Sequence, residues 1–168
     1  MFNLEEFISK YLQGESHICN NIALEHYRYT NDKYFCSIWR ILDRPENDII
    51  ALNMIFSLSE SFYKIFDHSD LKKYEWYRKH IFINAIDYKS ISQFRNAVSH
   101  TTSPSDDLYI KIGLLDPKEP KRYTYNIENT FIRMKELYSN KIHSIVNDTC
   151  KERDKNIFLY NLLKFEND

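Results

Sequence analysis

The chain has 168 residues, with 23 Lys and Arg set against 24 Asp and Glu, and a formal net charge of −1. That length fits one domain with a real hydrophobic core, and a composition of 43% apolar and 28% charged residues excludes a disordered chain. The even charge balance excludes a protein that coats nucleic acid over its whole surface, so any contact with RNA or DNA has to come from a local patch.

Aromatic residues are plentiful, with 13 Tyr and 11 Phe, whereas there are only two Gly and four Pro. Ring packing should therefore fill the interior, and tight-turn β architectures are disfavoured against helices. Cys19, Cys36 and Cys150 are widely spaced, with no Cys or His partner at metal-ligand spacing. They read as reduced cytosolic thiols, with no metal and no cofactor expected. The opening MFNLEEFISKYLQG carries Glu5 and Glu6 and has no basic stretch ahead of an apolar one, unlike a signal peptide. No run approaches the apolar length needed to cross a bilayer, so the expectation is a cytoplasmic protein without a membrane partner.

In chain order, Leu4, Phe7, Ile8, Tyr11 and Leu12 fall on one side of a short helix over 3–13. Residues 16–30 mix β-branched, aromatic and polar types, with a helix favoured. Asn31 reads as the cap of a further helix running to Leu42, which Arg44-Pro45 ends. Over 47–67 the apolar residues Ile49, Leu52, Ile55, Phe56, Leu58, Phe62, Tyr63, Ile65 and Phe66 fill a broad sector, wide enough to touch several neighbours. Asn53, Ser57, Glu60 and Lys64 form the opposite stripe. That stripe is either a solvated face with a Glu60–Lys64 pair or a functional strip along a cleft. In the second case Glu60 and Lys64 contact substrate.

Ser69-Asp70 reads as the start of a helix through Tyr74, Trp76, Tyr77, Ile81, Phe82 and Ile86. Ser90-Ile91-Ser92-Gln93 has the pattern of a capping box, which sets a helix over about 91–100. Alternation at Leu108, Ile110 and Ile112, the turn-like 116–120 and renewed alternation at 122–125 predict a small β-hairpin over about 108–125. Asn126 then caps a long helix with Ile127, Phe131, Met134, Tyr138, Ile142 and Ile145, and a last helix covers about 153–165. The predicted fold is all-α, a single helical bundle over 1–168 with one inserted hairpin.

The residues that carry chemistry lie on the 91–100 helix. Ile91, Phe94, Ala97 and Val98 form its apolar stripe, Asn96 and His100 share the opposite face, and Arg95 and Ser99 sit at the edge. A histidine at a helix C-terminus is favoured in its protonated form by the macrodipole and suits general acid–base work near neutral pH. An adjacent arginine supplies fixed positive charge and a forked donor for phosphate. Together they describe a metal-free phosphoryl-transfer site. On an ideal helix Arg95 and His100 diverge by about 140°, so they converge only across a wide cleft or an unwound last turn. The bland alternative for His100 is a cap residue without chemistry. His17, His26, His68, His80 and His143 read as surface or packing residues.

Phe94-Arg95-Asn96-Ala97-Val98-Ser99-His100 resembles the signature of the HEPN (higher eukaryote and prokaryote nucleotide-binding) superfamily, an Arg followed by a polar residue and then a His. The resemblance implies a helical bundle and a metal-independent endoribonuclease whose composite site forms where two copies meet, so a homodimer acting on RNA. It gives Arg95, Asn96 and His100 catalytic roles; Ser99, at the edge of the same helix, is a substrate-binding candidate from its position alone. It implies roles in toxins, abortive infection or antiviral defence, with an antitoxin or effector protein as a further partner. Some members are instead non-catalytic dimerisation or binding modules. Thr102 stands where toxins paired with nucleotidyltransferases carry Tyr, which separates this chain from that subgroup.

Overall fold

The computed structural model describes residues 16–42, 48–66, 71–100, 104–118, 127–146 and 158–161. Among them all regular structure is helical: α1 (Ser16–Leu42), α2 (Asp48–Phe66), α3 (Lys73–His80), α4 (Tyr88–Ser99), α5 (Asp106–Lys111) and α6 (Ile127–Val146), with one further helical turn at 158–161. The expected helix over 3–13 lies outside the described residues, as do the proposed caps Ser69-Asp70 and Asn126 and most of the last helix.

α2 is the central helix and packs against α1, α3, α4 and α6. Its wide apolar sector accounts for this: Leu52, Ile55, Phe56, Leu58, Phe62, Ile65 and Phe66 are all buried. On one side Phe62 stacks on Tyr138 of α6 at 5.6 Å, and Phe66 stacks on Phe158 at 5.4 Å. On the other, Phe56 stacks on Phe82 at 5.0 Å and leans on Phe94 of α4 at 6.2 Å. Contacts of this kind add about 0.5–1.5 kcal/mol each beyond area burial, so the ring-rich composition is spent on gripping α2 from both sides. By length and composition α2 would also pass for a membrane-crossing helix, contrary to the expectation from the sequence, yet half of that stretch is buried inside the bundle.

Several expected boundaries move. Asn31 does not start a helix; it sits inside the 27-residue α1, buried, with Nδ2 donating to the Tyr27 carbonyl at 2.8 Å. A side chain that bonds back one turn leaves the ladder intact and removes the capping role. α3 ends at His80 rather than reaching Ile86, and Ile81, Phe82 and Ala85 enter the core from the connecting loop. Arg78 Nε holds this loop by donating to the Ala85 carbonyl at 3.0 Å. α4 is capped by Asp87, whose carboxylate accepts the Ser90 amide at 2.7 Å, so Ser90 is the third helical residue and not the cap.

The inserted hairpin is absent at its first strand: residues 106–111 form α5, and 119–126 lie outside the described residues. Ser105 caps the helix by accepting the Leu108 amide at 3.4 Å, and Asp106 and Asp107 sit in the first turn, where the dipole favours negative charge. Leu108 and Ile112 are one turn apart, so their apparent alternation is a helical face. Gly113, at φ +73, closes the helix: its amide donates to the Ile110 carbonyl at 3.0 Å and the Leu114 amide to the Tyr109 carbonyl at 2.9 Å. That pair of bonds is a Schellman motif. Tyr109 packs edge-on to Phe94 at 5.0 Å, which seats α5 against α4.

Candidate functional site

α4 is anchored by Ile91, Phe94 and Val98, all fully buried, which fixes the direction of its polar face. Asn96, Ser99 and His100 are exposed, and Arg95 is half-buried. The helix ends at His100, with φ −90 and ψ 15, where the backbone amide donates to the Asn96 carbonyl at 3.1 Å. From α2, Asn53 Nδ2 donates to the Ile49 carbonyl at 3.1 Å and to the Val98 carbonyl at 3.4 Å. One polar side chain of the central helix therefore ties down the last turn of α4.

Arg95 and Ser99 line a small polar cleft with Asn53, Phe56, Ser57 and Glu60 of α2 and Lys73, Tyr74 and Tyr77 of α3. Three of the four residues in the α2 polar stripe thus face a cleft. Lys64, the fourth, lies outside the lining and pairs with Glu60 at 3.8 Å, a distance that Lys73 matches from α3. Among the described residues of the lining, two cations, Arg95 and Lys73, meet one carboxylate, Glu60, a surplus of one positive charge. Burial pushes the Tyr77 hydroxyl well above the ordinary phenol range; Glu60 and Tyr74 push the same way and Arg95 opposes. Tyr77 is therefore a neutral hydroxyl at any physiological pH. The cleft volume of about 50 Å³ compares with about 30 Å³ for one water in the liquid. It admits a small charged group and not a whole nucleotide.

The site residues expected from the sequence separate into two sets. Arg95, Ser99 and Glu60 share the cleft; Asn96 and His100 do not line it. This is the divergence an unbroken helix imposes on positions 95 and 100. Lys73, Tyr74 and Tyr77 were not singled out from the sequence, because their role depends on how α3 docks against α2. Their spacing puts all three on adjoining positions of one helical turn, a signal that marks a face without saying what it faces. Of the other histidines, His80 packs on Trp76 at 4.9 Å, and His26 and His143 are exposed.

Comparison with known proteins returns no match to any family model, curated protein or solved structure.

Proposed function

We propose that this chain is a metal-independent endoribonuclease of the HEPN type, working as a homodimer whose two α4 ends form one composite site. The observation that carries the reading is the cationic cleft in which Arg95 sits beside Lys73, Ser99 and the neutral hydroxyl of Tyr77, with the exposed His100 at the end of the same helix.

In this reading an RNA 2′-hydroxyl attacks the adjacent phosphorus, and His100 takes its proton or delivers one to the departing 5′-oxygen. Arg95 neutralises the charge that grows on the phosphoryl oxygens. Asn96, on the same face as His100, orients the imidazole or the RNA. The products are a 2′,3′-cyclic phosphate and a 5′-hydroxyl. Because Arg95 and His100 point apart within one protomer, a second copy brings the His100 that completes each cleft. Such an activity fits a toxin or an antiviral-defence effector of the abortive-infection type, acting in the cytoplasm and held by an antitoxin or effector partner.

A second reading is a non-catalytic HEPN-like dimerisation or binding module in a toxin–antitoxin or defence complex. The same separation of Arg95 from His100 favours it, since the described residues of one chain bring no histidine to the cleft beside Arg95.

The deciding experiment incubates total RNA and labelled oligonucleotides with wild type, Arg95→Ala and His100→Ala, with EDTA throughout. Cutting by wild type alone, leaving cyclic phosphate ends, is the expected result, with losses on the order of 10²–10⁴ for His100→Ala. Intact RNA after incubation with a folded wild-type dimer would overturn the ribonuclease reading in favour of the binding module.

A further inference from the structure

A second groove lies between the C-terminal half of α1 and the early turns of α6, and shares no residue with the Arg95 cleft. Phe35, Cys36, Trp39 and Arg40 of α1 and Phe131 and Lys135 of α6 line a volume of about 300 Å³. The floor is aromatic and buried, with Phe35 edge-on to Phe131 at 5.8 Å. Trp39 leans on Phe131 at 6.1 Å yet stays 53% exposed, whereas Trp76 is 3% exposed. An indole this open is held in place by the rings below it and presents the rest of its surface to whatever enters the groove.

Among the described residues, the charge around that ring has one sign. Arg40 follows Cys36 by one turn on α1, and Lys135 follows Phe131 by one turn on α6. Both cations are exposed, and among the described residues no carboxylate lines the groove and neither cation forms an ion pair. An exposed flat ring flanked by two uncompensated cations matches a planar base joined to a phosphate. In a chain of net charge −1, such a local patch is what an RNA contact requires.

We propose that this groove binds one nucleotide of a single-stranded RNA, with the base stacked on Trp39 and the adjoining phosphate held by Arg40 and Lys135. The proposal shares with the cleavage reading the premise that the chain meets RNA. It adds a docking point for the strand away from the scissile phosphate, which the small Arg95 cleft does not supply by itself.

The test uses full-length protein carrying His100→Ala, so that the strand is not cut during titration. Oligoadenylate is added while tryptophan emission and anisotropy of a labelled strand are followed. The chain has two Trp, and with Trp76 buried, quenching reports on Trp39. The expected results are quenching that Trp39→Phe removes, and affinity about ten-fold weaker in Trp39→Ala, the scale of one lost stack. In the Arg40→Gln, Lys135→Gln double variant, the slope of log affinity against log salt should shrink by about 1.4, or about 0.7 per lost phosphate contact. All these positions are exposed, and circular dichroism checks that each variant folds.

Parental affinity and salt slope in both groove variants would overturn the groove proposal and leave the cleavage reading standing. Adenosine monophosphate binding as tightly as the strand would overturn it in favour of a free-nucleotide site. A loss of dimer in Trp39→Ala would overturn it in favour of a second copy covering the groove. No binding of RNA by the parent would sink the groove and the cleavage reading together. Binding through the groove without cutting by wild type would sink the cleavage reading alone.

Discussion

Asn53 of α2 donates its side-chain amide to the carbonyl of Val98, 3.4 Å away and 45 residues later in the sequence, two positions before His100. The same amide also serves the Ile49 carbonyl at 3.1 Å, so its geometry is fixed from its own helix. Carbonyls of a last helical turn lack partners within the helix, and here the central helix supplies one. Asn53→Ala should destabilise the fold by about 1 kcal/mol, the net value of a part-buried hydrogen bond. It should also speed hydrogen exchange of the His100 amide, which closes the same turn. Urea unfolding and amide exchange measure the two effects. A destabilised variant with unchanged His100 exchange would show that Asn53 holds α2 and not the α4 terminus.

The cap of α4 makes stability depend on acid. The Ser90 backbone N–H bound to Asp87 holds the Asp87 carboxyl below its usual range. A carboxyl depressed in the folded state stabilises above its unfolded value of about 3.9, and that contribution is lost as pH falls through the folded value. Asp87→Asn keeps a capping oxygen and removes the charge. The variant should melt below wild type at about pH 7, and the two should converge at about pH 2. Melting curves across that range check it, and a constant offset would mean the charge plays no part.

Gly113 ends α5 in the left-handed region at φ +73, and a Cβ built there meets Asn84 Cβ at 2.4 Å and the Asn84 carbonyl oxygen at 2.8 Å. Backbone on the far side cannot yield as a flexible side chain would. Gly113→Ala should cost more than about 2 kcal/mol, combining the left-handed penalty with the clash. Gly113→Asn relieves the first term and keeps the second, so it should remain clearly destabilised in urea titration. Full recovery with Asn would show that conformation alone demands glycine.

The parts of the fold legible in the sequence are those where one helix's own pattern decides. α2 announces itself through a sector of Leu, Ile and Phe too broad for one neighbour, and its polar stripe of Asn53, Ser57 and Glu60 lines a cleft. The α4 apolar stripe at Ile91, Phe94 and Val98 is equally direct. Local signals failed where two explanations share one pattern. Leu108, Ile110 and Ile112 satisfy both alternation and a single helical turn, and the cap at Ser105 with the stop at Gly113 decides for the turn. Asn31 looks like a cap in isolation, but continuous packing of Tyr27, Phe35 and Ile38 against neighbours carries the helix through it. The cleft residues Lys73, Tyr74 and Tyr77 belong to helix docking, which no local pattern encodes.

Tyr27 illustrates a cost inside the same core. Its hydroxyl and Asn31 Oδ1 are buried without a hydrogen-bond partner. Burial pushes the phenol far above its ordinary range; Ser61 and Asn31 lie close enough to oppose this, but neither reaches hydrogen-bond geometry. The ring itself packs against Phe66, Tyr138 and Phe158 at 6.1–6.4 Å. Tyr27→Phe keeps those contacts and removes an unsatisfied group, whose burial costs about 1–3 kcal/mol. The variant should be as stable as wild type or more so, by up to about 1 kcal/mol after the void left by the oxygen is counted. Clear destabilisation in thermal unfolding would mean the hydroxyl is bound in solution.

Glu60 is the single carboxylate among the described residues of the Arg95 cleft, 3.8 Å from both Lys64 and Lys73. If the cleft receives a phosphate, this charge opposes the ligand and competes for Lys73, while it also keeps two lysines oriented. Glu60→Gln preserves shape and a hydrogen-bonding oxygen and removes the counter-charge that the described residues supply to Arg95 and Lys73. RNA affinity, measured with His100→Ala protein so that no strand is cut, should rise by up to about five-fold, the scale of one partly exposed ion pair. The gain should fade as salt is raised, because screening weakens the charge that was removed. Cleavage by the Glu60→Gln single variant separates two roles for the residue. Retained or faster cutting at low RNA concentration fits a carboxylate that only sets the cleft potential. A collapse of cutting with tighter binding would instead make Glu60 a participant in proton transfer, and weaker binding would refute the placement of a phosphate in this cleft.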